Sequence, residues 1–470
     1  MRMPSSRTLF ILAGALVLLA GLRFLASRSA SGPEVSWPSG GAPELEALRQ
    51  RKDVNVVFLL IDALRADRLG AAGYARPTSP NLDALAQGGV RFSRAWAQSS
   101  WTKTSMASLL TSTYPATNGI LRWEDTTPEA ATLPAEIFHA AGFRTVGLVR
   151  NAWMDPSFGF AQGFDRYQVP VVLAQGAPMR RNGPTTEGLE GSDLDLTQAA
   201  TAFLDSFGQD RFFLYLHYMD VHQYASDASS PTFGTSHADF YDSAITWVDR
   251  NVGALVAELG RKDLLGKTLI VVASDHGEAF LEHGYEGHGH DLHREVLEVP
   301  LLVVLPFRLA KRLVIDTPVQ NVDVFPTVLD LLGLPPLPEA EGRSLVPLIR
   351  ASLQGDPPPS ELADRPAFAD LDRTWFERGR APERIVSVAT ATHQMIRPLA
   401  GPGEVELYDL TKDPREQQSL AAGDPALRDR LAQAAAAHVG RRALAWGRPP
   451  AVKVDRLRLE QLRALGYVVK

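Results

Sequence analysis

The sequence predicts an α/β protein: a mostly parallel central sheet, with a smaller α+β subdomain at the C-terminal end. Three observations carry this. From residue 54, short and nearly unbroken apolar runs alternate with amphipathic helical stretches, the pattern of strands buried on both faces between crossover helices. Three of the runs end in carboxylates and histidines: Asp62, then Asp220 with His222, then Asp275 with His276. Open α/β sheets gather their ligands at that end of their strands. Towards the C-terminus the pattern changes to RIVSVATATHQMIR and EVELYDL, read as antiparallel strands, followed by helical DPALRDRLAQAAAAHVGRRAL and VDRLRLEQLRALGY.

The first segment is of another kind. Arg2 and Arg7 precede the apolar run 9–22 (LFILAGALVLLAGL), after which Arg23 and Arg28 return. A basic start followed by an apolar run reads as an export signal or a single membrane anchor over residues 1–30, with small residues at 27–31 that would suit cleavage. Residues 31–52, rich in Pro, Gly and Ser at their start, read as a spacer. The expected protein is exported, and either membrane-tethered or periplasmic or extracellular.

The catalytic domain is expected over 53–350. Its strands are VNVVFLLID, RTVGLV, RFFLYLHYMD, KTLIVVASD and VPLLVVLP, and its helices include SPNLDALAQGG, TLPAEIFHAAG, DLTQAATAFLDSF and FYDSAITWVDRNVGALVAELG. Two long loops interrupt the pattern, at 176–193 and at 352–366, the latter belonging to a Pro-rich connection at 351–366 with prolines at 357–359. The α+β subdomain then occupies 367–470. There is no internal repeat, and nothing in the sequence sets an oligomeric state.

Composition narrows the chemistry. With 470 residues, 45% of them hydrophobic and 22% charged, the chain has room for two or three domains and a sizeable core. The net charge of −6 provides no general attraction to a phosphate backbone, so no nucleic-acid partner is expected. There is no cysteine. Disulfides, thiolate metal sites, lipidated cysteines and cysteine nucleophiles are therefore excluded, and the chemistry must rest on oxygen and imidazole groups.

Two strand ends and one helix start concentrate such groups. Asp62 closes the first strand, and Asp275 and His276 close another before Gly277, which permits a tight turn. Five of the eleven histidines, His276, His283, His288, His290 and His293, fall within HGEAFLEHGYEGHGHDLH. Such a cluster among glycines and acids is expected to include metal ligands, with His290 and His293 discounted as loop residues. Thr102 stands at or just before a helix start in SSWTKTSMASLLTSTYP. There its hydroxyl either faces an anionic substrate at the positive helix end or serves as a helix cap. Two aspartates, a histidine and a hydroxyl suit Zn²⁺, Mn²⁺, Mg²⁺ or Ca²⁺ and exclude soft-ligand metals. A metal at a Thr hydroxyl would favour its alkoxide and offset charge on a phosphoryl or sulfuryl group.

These residues sit in segments that resemble the sulfatase family, within the alkaline-phosphatase superfamily. The segments are LLIDALRADRLGAAGY, SPNLDALAQGGVRFSRAWAQSSWT with MASLLTSTYP, FGFAQGFDRY, FLYLHYMDVH, YDSAITWVDRNVGAL, ASDHGEAFLEHG, GHGHDLHREVLEVPLLV, VDVFPTVLDLLGLPP, EGRSLVPLI and ELYDLTKDPREQQSLA. They follow the family's order from residue 54 to the C-terminus. The resemblance implies an alkaline-phosphatase-like sandwich. It makes Asp62, Asp275 and His276 metal ligands, His222 a contact of the anionic group or its leaving oxygen, and His288 a substrate contact, with His283 a weaker candidate.

The departures from the family pattern are informative. Family sulfatases convert a cysteine or serine in C/S-x-P-x-R to formylglycine; here that position is Thr102, with Thr104 and Met106 at the proline and arginine positions. Ala63 stands where the family has a second consecutive aspartate. A threonine cannot give the aldehyde, and threonine nucleophiles occur in relatives that act on phosphodiesters or transfer phosphoryl-linked head groups.

The expectation is therefore a metal-dependent hydrolase of phosphate or sulfate esters, with Thr102 as nucleophile and Asp62, Thr102, Asp275 and His276 on the metal. His222 and His288 complete the catalytic set, and with Asp220 they would bind the transferred group or a second metal, giving one or two ions per chain. Lys103 is read as either an anion-binding group or a solvated loop lysine. A membrane-tethered head-group transferase, a non-catalytic binding protein and a genuine sulfuric ester hydrolase are the alternatives. The expected partners are a small-molecule, lipid or glycan ester substrate, and a membrane through the N-terminal segment.

Overall fold

A computed structural model of the chain describes residues 37–170, 179–182, 191–377, 379–400, 403–441, 446–447 and 449–452. The expected export segment and the last helical stretch from 453 lie outside the described residues, as does most of the 176–193 loop. No helix among the described residues is long and apolar enough to cross a membrane.

A nine-stranded sheet forms the centre. Its strands are β1 (Asn55–Ile61), β2 (Val90–Trp96), β3 (Arg144–Val149), β4 (Arg166–Gln168), β5 (Phe212–Tyr218), β6 (Thr268–Ala273), β7 (Glu298–Val304), β8 (Leu313–Ile315) and β9 (Val319–Gln320). The order is β8-β2-β7-β6-β1-β5-β3-β4, with β9 also on β2. Only β7 runs against its neighbours, antiparallel to both β2 and β6. β1 lies between β5 and β6 and pairs in parallel with both, residue 61 opposite 218 and residue 60 opposite 273. The ends of these three strands are thereby level, which brings Asp62, Asp275 and the 217–222 segment to one edge of the sheet.

Helices cover both faces: α1 (Ala42–Leu48), α2 (Pro80–Gly88), α3 (Thr102–Thr111), α4 (Pro134–Ala140), α5 (Asp193–Phe207), α6 (His237–Arg261), α7 (Val324–Leu331) and α8 (Val346–Gln354). One core contains Val56, Phe58, Leu60, α3 and α7; the other contains Val57, Leu59, Ile61, α5 and α6. Alternate residues of β1 thus serve opposite cores, as the pleat requires. Every residue of β1 is buried.

The C-terminal part is an antiparallel sheet of β10 (Ala367–Asp372), β11 (Arg384–Ala389), β12 (His393–Pro398) and β13 (Glu406–Asp409), packed on α9 (Pro425–Val439).

Two segments read as connections are more ordered than that. Residues 39–40 of the expected spacer pair in parallel with residues 308–309, and α1 buries Leu45 and Leu48. Those leucines are three apart and share one helix face. In the Pro-rich connection, α8 extends to Gln354 and a short helix at Ser360–Ala363 buries Leu362.

Candidate active site

Asp62 follows directly on β1, its amide bonded to the Tyr218 carbonyl at 2.9 Å. Next to it, Ala63 adopts a left-handed backbone (φ 59°) that points its amide at Asp275 Oδ1, 3.2 Å away. Ala63 thus contributes a backbone donor to the site. Asp62, Asp275 and His276 are fully buried, with ligand atoms that lie within 4.8 Å of one another. His276 Nε2 is 3.7 Å from Asp62 Oδ1 and 3.3 Å from Asp275 Oδ2.

Thr102 is the first residue of α3, Trp101 being its cap, and no side-chain cap bond is made. The capping alternative therefore does not describe it. Its hydroxyl instead lies 3.2 Å from His276 Nε2 and 3.4 Å from Asn151 Nδ2. Sequence reasoning did bring together the four groups that meet here.

The supporting residues escaped it. His217 Nε2 donates to Asp62 Oδ2 at 2.9 Å, and Tyr215 OH donates to His217 Nδ1 at 2.7 Å. Asn151 Nδ2 donates to the same Asp62 oxygen at 2.6 Å. Asp62 is therefore tied through Oδ2, while Oδ1 is buried with no hydrogen-bond partner among the described residues, as is Asp275 Oδ2. His276 Nδ1 donates to the Gly277 carbonyl at 2.9 Å, which leaves Nε2 as the basic nitrogen. Two orphaned carboxylate oxygens, a basic imidazole nitrogen and a hydroxyl facing one another fit a divalent metal with oxygen and nitrogen ligands.

The electrostatics agree with that fit. Burial works to raise Asp62, but His222, His217 and His276 outweigh it and hold the carboxyl well below its usual range. Burial and the Asp62 charge push Asp275 upward. Burial works against a charged His276, yet Asp275 and Asp62 prevail and raise it.

His222 and His288 do reach this place. The His288 ring stacks on His276 at 4.3 Å between centroids and lies 4.8 Å from His222. Burial lowers His222 to about 4 and His288 well below its ordinary value. Glu278, which the sequence did not single out, accepts from His288 Nδ1 at 2.9 Å and from Tyr224 OH at 3.1 Å. Burial raises its carboxyl to about 7.

Three other expectations are corrected. Asp220 turns away from the cluster, accepting at 2.7 Å from Arg150 Nη1, the Asp193 amide and Trp247 Nε1. It locks the start of α5 to α6 and does not face a second metal. His283 bonds to Glu295 Oε1 at 2.6 Å and to the Glu416 carbonyl at 2.9 Å, joining the two parts of the chain away from the site. Lys103 is not solvated but fully buried, bonded to the Trp123 carbonyl, with Phe158 4.1 Å beneath its ammonium. Burial lowers it to about 7.

The fold and this edge define an ester hydrolase of the alkaline-phosphatase-like superfamily. A sulfatase family model matches residues 54–334, and a model of the C-terminal region of N-sulphoglucosamine sulphohydrolase matches 282–435. The chain belongs to the sulfatase family. Human arylsulfatase A is 26% identical over 441 residues, covering 78% of this chain and 83% of its own length. The ulvan-active sulfatase of Formosa agariphila is 25% identical over 403 residues, covering 78% and 76%. In fold, the chain is similar to the phosphonate monoester hydrolase of Agrobacterium radiobacter, with a TM-score of 0.66 at 20% identity over 82% of this chain and 95% of that one. A 2-O GAG sulfatase gives a TM-score of 0.66 at 19% identity, covering 82% and 90%.

Proposed function

We propose that this sulfatase-family protein is a metal-dependent phosphoric ester hydrolase with Thr102 as its nucleophile. The observation that carries the reading is the Thr102 hydroxyl, 3.2 Å from His276 Nε2 at the position where the family forms its aldehyde. With no cysteine in the chain and threonine at that place, the hydrated-aldehyde route is closed. Asp62, Thr102, Asp275 and His276 would hold the metal, whose charge favours the Thr102 alkoxide and offsets charge on the transferred group.

The residues then divide the work. Thr102 Oγ1 attacks phosphorus in line as the ester oxygen leaves, and water cleaves the phospho-threonine. Asn151 and His217 hold Asp62. His222 and His288 bind the transferred group. The site would accept a small-molecule, lipid or glycan ester, and the basic and apolar N-terminal pattern supports an exported protein tethered to or released from a membrane. A glycan ester belongs in the substrate panel because of the ulvan-active relative.

The test is turnover of aryl phosphodiesters, phosphomonoesters, sulfates and a sulfated glycan, with and without divalent metal. Metal-dependent turnover of a phosphate ester, lowered at least about 10³-fold by Thr102→Ala, is expected. Turnover confined to sulfate esters, or unchanged by Thr102→Ala, would overturn the reading.

A further inference from the structure

Asn151 does more than hold Asp62. It is buried two residues past β3, where it caps a short turn at Ala152–Met154, its Oδ1 accepting from the Trp153 amide at 2.8 Å. That bond decides which end of the side-chain amide is which, so the NH₂ group faces the other way. Its two hydrogens have one acceptor each: Asp62 Oδ2 at 2.6 Å and Thr102 Oγ1 at 3.4 Å. The turn and the start of α3 are locked together, because Trp153 packs edge-on against Trp101 at 5.4 Å between ring centroids, both rings fully buried. Thr102 Oγ1 has one other polar neighbour among the described residues, His276 Nε2, the basic nitrogen of its ring. Asn151 Nδ2 is therefore the one hydrogen-bond donor to Oγ1 among the described residues.

We propose that Asn151 is a catalytic residue, whose Nδ2 hydrogen bond carries the negative charge that collects on Thr102 Oγ1 as the phospho-threonine is cleaved. The proposal rests on the Thr102 reading and extends it to the second half of turnover. A water oxygen forms its bond to phosphorus, the bond from phosphorus to Oγ1 breaks, and the electron pair stays on Oγ1. Both protons of the water leave with the released phosphate, so the step balances without a proton donor.

An alkoxide is a poor leaving group, and a donor already aimed at it needs no reorganisation as its charge builds. The contact with Oγ1 is long, and it strengthens when the oxygen becomes charged, which is the condition for lowering a barrier and not merely binding. In the first half of turnover charge moves off Oγ1, so the same donor helps little there. This asymmetry separates the role from simple support of Asp62.

Asn151→Ser keeps an acceptor for the Trp153 amide but is too short to reach Oγ1, and Asn151→Ala removes both functions. The full chain, at saturating divalent metal, is pulsed with nitrophenyl phosphate or a nitrophenyl phosphodiester, whichever wild type turns over, and then chased. Intact mass after acid quench gives the rate at which the phosphoryl group is lost, and the burst of nitrophenol gives the rate at which it is gained. Loss is expected to slow about 10²–10³-fold in both variants and gain to slow less than about tenfold, in line with removal of one oxyanion donor. His217→Leu is the comparison, since it removes the other donor to the same Asp62 oxygen, at 2.9 Å, without touching Thr102. It should raise the metal concentration required and, at saturating metal, affect gain and loss alike. Melting temperatures with metal present check the fold of each variant.

Equal slowing of gain and loss in the Asn151 variants, or recovery of both rates on adding more metal, would overturn the proposal and leave Thr102 standing. No phosphoryl adduct in wild type or variants, or turnover retained by Thr102→Ala, would sink the nucleophile and this role with it.

Discussion

At the scale of single residues, the site is a place where charge is concentrated without its partner. Asp62 and Asp275 are both fully buried, and the Asp62 charge burdens Asp275 when no cation lies between them. Asp275→Asn should therefore stabilise the metal-free protein, because asparagine can still accept the Ala63 amide while the second charge is gone. The expected gain is about 1–4 kcal/mol in denaturant unfolding with chelator present. Wild type should in turn gain about 2.7 kcal/mol at a metal concentration of 100 times Kd, and the variant should lose most of that response. A variant less stable than wild type in chelator would contradict the repulsion. These four groups were legible in the sequence because each ends a strand or begins a helix beside small or polar residues. His217 was not, since within RFFLYLHYMD it reads as one more position of a buried strand. Only the pairing of β5 with β1 sets it opposite Leu60 and lets its ring reach Asp62. Asn151 and Glu278 were hidden for the same reason: their partners are 89 and 49 residues away for Asn151 and 10 and 54 away for Glu278.

Secondary-structure elements were more legible than their surroundings. The five main apolar runs form strands and the amphipathic stretches form helices, because burial on both faces and helical spacing leave distinct marks. The antiparallel direction of β7 left none, since strand direction depends on the connection and not on the run. Leu45 and Leu48 were lost in a segment whose Pro and Gly content reads as a tether. Gly277 shows an element-scale constraint of a different kind from the turn expected of it. Its φ is not in the left-handed region; what it provides is space. A Cβ there would lie 2.1 Å from the Glu295 carbonyl oxygen, while the Gly277 amide donates to the Val296 carbonyl at 2.9 Å. Backbone is thus packed on backbone between His276 and Glu278. Gly277→Ala should force these two backbone segments apart, destabilise by about 1–3 kcal/mol and lower activity, because both flanking side chains move. Gly355→Ala is the comparison, with a left-handed φ of 77° and nothing within 4 Å of the added carbon. It should leave activity unchanged and cost about 1–2 kcal/mol of backbone strain. A Gly277→Ala enzyme with wild-type turnover would show that the packing is not needed to hold the site.

At the scale of the molecule, the α+β subdomain is joined to the catalytic part by a cluster of ionisable groups. His293 lies between Asp291, 3.3 Å from its Nδ1, and Glu406 of β13, 2.9 Å from its Nε2. His283 stacks on it at 3.7 Å between ring centroids and is bonded to Glu295 and the Glu416 carbonyl. Tyr408 donates to Glu406 at 2.5 Å, and Glu416 accepts the Arg294 amide at 2.8 Å. Burial alone would lower His293, but the carboxylates of Asp291 and Glu406 outweigh it and raise it to about 10. An unfolded histidine titrates near about 6.5, so the folded chain keeps this proton longer than the unfolded one. The stabilisation is therefore complete below about pH 6.5, declines as pH rises and is gone above about pH 10. Glu416, raised to about 7 by burial, slopes the same way at lower pH, because it too binds its proton more tightly when folded. Unfolding free energy should consequently fall between pH 6.5 and pH 9.5, by about 2–4 kcal/mol from His293. His293→Gln should be less stable than wild type at pH 6.5 and close to it at pH 9.5. Urea unfolding at the two pH values measures the difference. A constant gap between wild type and variant would mean that the subdomain is held by packing alone, and that the charge on His293 contributes nothing to docking.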